Sequence, residues 1–246
     1  MSKGKANTEE QPQNEDMTSQ GEAPTPSLDG TGAVLVKIQG HLVYCLTIIG
    51  QIEGHQILSS DSKTTKYEHV IPQLVCADQS ERVDGILILL NTSGGDVEAG
   101  LAIAELISGL RKPTVSLVLG GGHSIGIPLA VSTDYSFIAK TASMTVHPVR
   151  STGVTIGAPQ TFEYFRRMQE RINGFVAENS SISASRYNSL AMNTGQLVLD
   201  VGTVLDGEEA VEHGLIDELG SYRDAAEKLC ELIQKGKKRR KGKPNG

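Results

Sequence analysis

The chain has 246 residues, 38% of them hydrophobic, which suits one α/β domain with short appendages. Its net charge of −6 combines a basic C-terminal end with an acidic body of about −9. An acidic body with no Trp and only 4% aromatic residues excludes a nucleic-acid reader, because that class needs a basic groove and stacking side chains.

The chain carries no sign of a secreted or membrane-spanning protein. Its three cysteines are scattered, so neither a disulfide framework nor a zinc site is indicated. The N-terminus lacks the apolar segment of a signal peptide, and the apolar runs fall short of the ~20 residues that span a bilayer. We therefore expect a cytoplasmic protein in a reducing setting.

The two ends of the chain differ in composition from the middle. Residues 1–30 are polar and acidic, and the chain closes with the basic run KGKKRRKGKPNG. Neither end can bury enough apolar area to offset the entropy of ordering. We expect a disordered tail over 1–30, one folded domain over 31–230 and a basic disordered tail over 231–246. The basic tail is either solubilising or an electrostatic contact with anionic lipid or nucleic acid.

Between the tails, strand patterns alternate with helix patterns. Apolar runs with turn signals predict strands at 33–40, 42–49, 83–91, 114–119, 135–139 and 143–147. Helical spacing predicts helices at 67–79, 96–110, 161–179 and within 208–219, and a helix beginning near 125. The alternation predicts an α/β fold with a mostly parallel sheet and right-handed crossovers.

The stretch VSLVLGGGHSIGIPLA places Ser124 where a strand ends and a helix begins. GHSIG matches the G-x-S-x-G pattern, in which glycines permit a sharp turn that exposes a nucleophile. A helix N-cap is the structural alternative for such a serine. An earlier glycine turn, NTSGG, follows the preceding apolar strand, so its amides could converge with Ser124 into an oxyanion hole.

A hydroxyl nucleophile needs a base, and His147 is the best placed of the six histidines. It ends the short strand SMTVH, 23 residues after Ser124, where the chain has passed through one helix and returned to the sheet. A satisfied strand-end histidine is the alternative reading. Beside a nucleophile, His147 would act as general base.

Five segments in this order resemble the proteolytic subunit of Clp proteases: NTSGGDVEAGLAI, GGGHSIGIPLA, SMTVHPV, MNTGQ and EEAVEHGLIDEL. The similarity covers about residues 35–225, and the tails and divergent motif letters most resemble the translocation-enhancing branch of the family. The resemblance implies a ClpP/crotonase-like spiral of βα units with an extended handle helix. It also implies a ring-shaped homo-oligomer that cleaves proteins or peptides, can be fed by an AAA+ unfoldase and needs no metal or cofactor.

Carried over by position, the resemblance makes Ser124 the nucleophile and His147 the base. It assigns the oxyanion hole to Gly95 and the amide of Ile125. The third member of the triad is the aspartate, for which Asp200 is the candidate. The register set by EEAVE, however, puts Gly202 where the family aspartate belongs.

Other positions depart from the family pattern or have local explanations. Ser93 replaces a proline before the glycine pair, and His123 stands where a small residue is usual. Asp206, with Glu209 three residues later, is interpreted as the cap of a capping box. Lys140 is interpreted as a solvated lysine rather than the base of a Ser–Lys peptidase.

Two further functional classes remain beside the serine peptidase. The first is a catalytically weak scaffold or adaptor in protein translocation, which the displaced aspartate and the basic tail favour. The second is an acyl-CoA enzyme of the crotonase group, which shares the fold and the paired amides but uses no nucleophilic serine. The GGGHSIG turn counts against the second.

Overall fold

A mixed sheet with helices on both faces forms the framework in the computed structural model, which describes residues 32–150, 157–195 and 201–236. The described strands are β1 (Ala33–Ile38), β2 (His41–Glu53), β3 (Thr64–Lys66), β4 (Gly85–Gly95), β5 (Thr114–Gly122), β6 (Tyr135–Ile138), β7 (Ser143–Val146), β8 (Thr203–Asp206) and β9 (Glu218–Leu219). The described helices are α1 (Tyr67–Gln79), α2 (Val97–Gly109), α3 (Gly126–Val131), α4 (Ala158–Asn179), α5 (Ala184–Ala191), α6 (Gly207–Glu212) and α7 (Tyr222–Lys235).

The main sheet has the strand order β1-β2-β4-β5-β6-β9. Its pairs are parallel except for the β1–β2 hairpin. Short β3 extends the β1 side of β2, and β7 joins the end of β5 and pairs with β8 in antiparallel fashion. The predicted α/β class with a mostly parallel sheet is confirmed.

Both faces of the central strands are buried, which explains the uninterrupted apolar run of β4. Ile86, Ile88 and Leu90 pack into the larger core with α1, α2 and α3. Leu87 points to the other face, into a smaller cluster that includes residues of α7. Side chains alternate across a strand, so a strand covered on both sides is apolar at every position.

The glycine segments extend the strands further than the sequence pattern indicated. The predicted turns at NTSGG and GGG belong instead to the ends of β4 and β5, where Gly95 pairs with Ile52 and Gly122 pairs with Thr92. Glycine can continue a ladder where a side chain would collide with its neighbour. A Cβ on Gly95 would lie 2.2 Å from the carbonyl oxygen of Ile52. The turn before α3 therefore begins only at His123.

Helix α4 is the longest described helix and the predicted handle. It begins at Ala158, three residues before the predicted start, with a proline in its first turn. Its C-terminal half buries Met168, Ile172, Phe175 and Val176, whereas Phe162 near its start is 71% exposed. Within the described residues, no helix is both long enough and apolar enough to cross a membrane.

Helix α7 passes the predicted end of the domain at residue 230 and continues to Lys235. Residues 1–31 and 237–246 are outside the described part of the chain. The disorder of the two tails therefore stays a prediction.

Candidate active site

Ser124 occupies a strained backbone conformation at the turn between β5 and α3. Its φ is +56°, a left-handed value that it shares with only one other non-glycine among the described residues, Gln39. The turn is held by hydrogen bonds from the Gly126 amide to the His123 carbonyl (2.9 Å) and from the Ile127 amide to the Ser124 carbonyl (3.0 Å). An L-residue in this conformation costs about 1–2 kcal/mol. The tight turn lifts the Ser124 side chain out of the strand.

The end of β4 closes against Ser124 because Gly94 has no side chain. A Cβ on Gly94 would lie 2.7 Å from Ser124 Cβ and 3.2 Å from Ser124 Oγ. The Gly94 amide is already engaged, donating to Thr92 Oγ1 at 3.0 Å. The Gly94 amide is therefore a poor candidate for the oxyanion hole, in agreement with the assignment of Gly95.

The ladder between β2 and β4 positions the backbone of Gly95. Ile52 pairs with Gly95 and accepts a hydrogen bond from the following residue, Asp96, at 3.0 Å. Asp96 also caps α2 through the amide of Ala99 (2.8 Å), which anchors the loop.

Ile125 brings a second amide to the same turn. The first four N–H groups of a helix lack intrahelical acceptors, and the amide of Ile125 at the start of α3 is among them. Its side chain is only 2% exposed and packs against Gly100 of α2. The position of this amide is therefore set by helix packing.

Strand β7 ties the nucleophile candidate to the base candidate. The Ser124 amide donates to the carbonyl of Thr145 at 2.9 Å, and His147 follows two residues later, just after the strand. The predicted strand SMTVH is confirmed over Ser143–Val146. Thr145 and His147 alternate with buried Val146, so both face the side on which the Ser124 turn lies.

The imidazole of His147 has a defined tautomer. Its Nδ1 lies 2.8 Å from the carbonyl oxygen of Pro148. A carbonyl can only accept, so Nδ1 carries a proton. A histidine that acts as general base on a hydroxyl needs its own proton on one ring nitrogen, so that the other nitrogen takes the proton of the hydroxyl.

A second imidazole, from His123, belongs to the same cluster. Its Nδ1 is 2.9 Å from Thr145 Oγ1, and its ring lies against the α-carbon of Gly121. Burial, and secondarily the charge of nearby His147, lower the pKa of His123. Sequence reasoning noted His123 as a departure from the family but missed its contact with β7, since no local pattern reports a contact between strands.

The remaining predicted residues have separate outcomes. Asp200 lies in 196–200, outside the described residues, so its role stays a prediction. Gly202 lies beside His147: a Cβ there would be 2.9 Å from His147 Cβ. The capping box of Asp206 and Glu209 is confirmed. Lys140 is 83% exposed and 3.5 Å from Glu208, as expected of a solvated lysine.

Within residues 32–150, 157–195 and 201–236, no three His, Cys, Asp or Glu side chains lie close enough together to bind a metal ion. What the site provides is a hydroxyl on a strained turn, an imidazole on the adjoining strand whose Nδ1 is bound to a backbone carbonyl, and two candidate backbone amides. These are the elements of nucleophilic acyl transfer.

Comparison with known proteins agrees with this arrangement, because the Clp protease family matches residues 43–223. This chain belongs to the Clp protease family. It is 58% identical over 193 residues to the translocation-enhancing protein TepA of Halalkalibacterium halodurans, covering 78% of this chain and 75% of that protein. It is 28% identical over 158 residues to the ATP-dependent Clp protease proteolytic subunit of Lactococcus lactis, covering 61% of this chain and 74% of that subunit.

A solved structure shows the same fold. A ClpP1 mutant from Listeria monocytogenes superposes with a TM-score of 0.59 at 23% identity, covering 74% of this chain and 94% of that chain. The expected Clp-like fold is thereby confirmed. The family resemblance drawn from the five sequence segments is also confirmed.

Proposed function

We propose that this member of the Clp protease family is a serine-type endopeptidase that hydrolyses peptide bonds through an acyl-enzyme. One observation carries the proposal. Ser124 has a left-handed backbone conformation, and its amide donates to the carbonyl of Thr145 in β7, two residues before His147. This arrangement places the half-buried serine beside the strand that leads to its candidate base.

In the proposed mechanism, Nε2 of His147 takes the proton of Ser124 while Oγ attacks the peptide carbonyl. The amides of Gly95 and Ile125 receive the developing oxyanion, each contributing about 2.7–4 kcal/mol of transition-state stabilisation. The imidazolium then returns its proton to the leaving amine, and water hydrolyses the acyl-enzyme by the reverse sequence. General-base assistance of this kind supplies about 10²- to 10⁴-fold.

The third member of the triad is the open part of the mechanism. Asp200 remains the candidate, and the Pro148 carbonyl already supports the required tautomer of His147. Without the aspartate the pair would work as a dyad, at a cost of about 10⁴-fold where the aspartate has been removed from a comparable triad.

The family resemblance extends the proposal to assembly. Subunits would stack as homo-oligomeric rings that enclose the sites, with protein or peptide substrates delivered by an AAA+ unfoldase. Helix α4 would join the rings, and its start offers Phe162 and Tyr164, which are 71% and 54% exposed. Large apolar side chains exposed together mark interaction surfaces.

A fluorophosphonate probe tests the peptidase directly, because it forms a stable bond only with an activated serine. We expect labelling of the wild type and none of Ser124→Ala. We expect His147→Ala to label at least 100-fold more slowly, since the serine loses its base. Absence of labelling in the folded, oligomeric wild type would contradict the peptidase.

A second candidate is a catalytically weak scaffold or adaptor in protein translocation. Two observations favour it: the 58% identical relative is named a translocation-enhancing protein, and Gly202 stands where the register set by EEAVE places the family aspartate. The same probe separates the two functions, because a scaffold would show equal background labelling in the wild type and in Ser124→Ala.

A further inference from the structure

The residue opposite His147 on the adjoining strand is a glycine that cannot be replaced without displacing the histidine. Val146 pairs with Thr203 in the antiparallel β7–β8 ladder, so the next residues outward, His147 and Gly202, face each other. Opposite residues of such a pair send their side chains to the same face of the sheet. A side chain on Gly202 would therefore stand directly against the imidazole-bearing residue.

The local geometry leaves no room for that side chain. A Cβ on Gly202 would lie 2.5 Å from the Val146 carbonyl oxygen, 2.9 Å from His147 Cβ and 3.2 Å from His147 Cα. The φ of Gly202 is +142°, which L-residues rarely adopt. The contact involves the backbone and Cβ of His147, which cannot rotate away as the end of a long side chain could.

Asn193 holds Gly202 in this position. The Gly202 amide donates to the Asn193 carbonyl at 2.7 Å, and Asn193 Nδ2 donates to Thr203 Oγ1 at 3.2 Å. Thr203 Oγ1 in turn donates to the carbonyl of Leu190, near the end of α5, at 2.8 Å. Hydrogen bonds to Asn193 and Leu190 thus connect the start of β8 to the end of α5 and hold Gly202 in contact with His147.

We propose that Gly202 is a positioning residue for His147: its bare α-carbon lets β8 close on the histidine and keeps the imidazole in the orientation in which Nδ1 is bound to the Pro148 carbonyl. The role rests on the proposed peptidase function, since the imidazole matters for catalysis only there. Gly202 acts through His147 and has no contact with the substrate.

The test compares Gly202→Ala with the wild type in peptide hydrolysis and fluorophosphonate labelling. A shift of about 1 Å in a catalytic group costs about 100-fold, so kcat and the labelling rate should both fall by about that factor with KM little changed. Gly195→Ala is the matched control, because among the described residues a Cβ there meets only Asn193 Oδ1, at an ordinary 3.4 Å. Asn193→Ala keeps Gly202 but removes the side-chain hydrogen bond to Thr203, so it should lower kcat and the labelling rate by a smaller factor.

A spectroscopic readout separates positioning from general loss of structure. Nitrogen NMR of isotope-labelled histidine in the wild type should show His147 protonated at Nδ1, and Gly202→Ala should show a mixture of tautomers. Should Gly202→Ala fail to fold, the tautomer and kinetics of Asn193→Ala decide the question. Unchanged kcat and tautomer in the folded variants, or a rise in KM alone, would overturn the proposal. A wild type that is unlabelled, together with a His147 tautomer that changes in Gly202→Ala, would refute the peptidase and leave the positioning of His147 by Gly202 supported.

Discussion

Replacing Gly100 of α2 with alanine should disturb the candidate active site through the contact of α2 with Ile125, although the same change normally stabilises a helix. Gly100 is buried against Ile125, whose amide is assigned to the oxyanion hole. A Cβ on Gly100 would lie 2.4 Å from Ile125 Cγ1, about 1 Å short of an ordinary contact. Ile125 Cγ2 and Cβ are also close, at 3.1 and 3.3 Å, so rotation of the Ile125 side chain would still leave its Cβ closer than an ordinary contact.

The expected magnitude follows from two opposing terms. Alanine gains about 0.5–1 kcal/mol over glycine inside a helix, whereas overpacking a core costs about 1–3 kcal/mol. We therefore expect Gly100→Ala to lose about 1 kcal/mol of unfolding free energy. At this chain length that lowers the Tm by about 2–4 °C. A displacement of Ile125 approaching 1 Å should also slow fluorophosphonate labelling about 100-fold.

Gly109→Ala provides the control on the same helix, because a Cβ there meets nothing within 4 Å. It should leave the labelling rate unchanged and raise the Tm slightly. Differential scanning calorimetry and labelling kinetics on both variants measure the effects. If Gly100→Ala labelled at the wild-type rate and gained stability as Gly109→Ala does, Ile125 would not transmit α2 packing to the site.

Three further predictions concern strain, protonation and an anchoring carboxylate. Ser124→Gly and Ser124→Ala should both abolish labelling. Ser124→Gly should be about 1 kcal/mol more stable than Ser124→Ala, because glycine relieves the left-handed strain. Equal Tm values of the two variants would argue against strain. The pKa of His123 is lowered by burial and by the charge of His147, so between that pKa and about 6.5 the unfolded chain binds more protons than the native protein. The unfolding free energy should fall as the pH drops below about 6.5, and urea titrations should show a weaker fall in His123→Gln. Asp78 is only 6% exposed and accepts hydrogen bonds from two backbone amides of the α2–β5 turn at 2.7 and 2.9 Å. Asp78→Ala should lower the free energy of unfolding by about 3 kcal/mol, measured by thermal unfolding, and leave the labelling rate unchanged.

The parts of the fold that could be predicted from the sequence have strong local signals. Helix α1 matches its predicted bounds despite an internal proline, because its apolar residues keep helical spacing. The central strands were evident as continuous apolar runs. Helix α7 was missed, although Ser221 and Asp224 form a capping box and Ala225 and Leu229 lie on one face. Strand β3 has only three residues and pairs with the part of β2 that extends beyond β1. No local sequence pattern indicates such a pairing.

For the candidate site, the sequence could predict candidate residues but not how their atoms are arranged. The order of the glycine turns, the serine and the strand-end histidine pointed to Ser124 and His147. The contacts that set the geometry join residues distant in sequence: Gly100 with Ile125, and Gly202 with His147. Such contacts depend on helix packing and strand register, which a single sequence does not encode in any one window.

The backbone at Ser124 bears on the choice between the peptidase and the scaffold. Glycine could hold the left-handed turn at lower energy, whereas serine there costs about 1–2 kcal/mol. A scaffold needs only the turn, so glycine would serve it better. A peptidase needs the hydroxyl and must accept the strain that exposes it, as is common at functional sites. The presence of a serine on this turn, bound through its amide to the strand that leads to His147, therefore favours the peptidase.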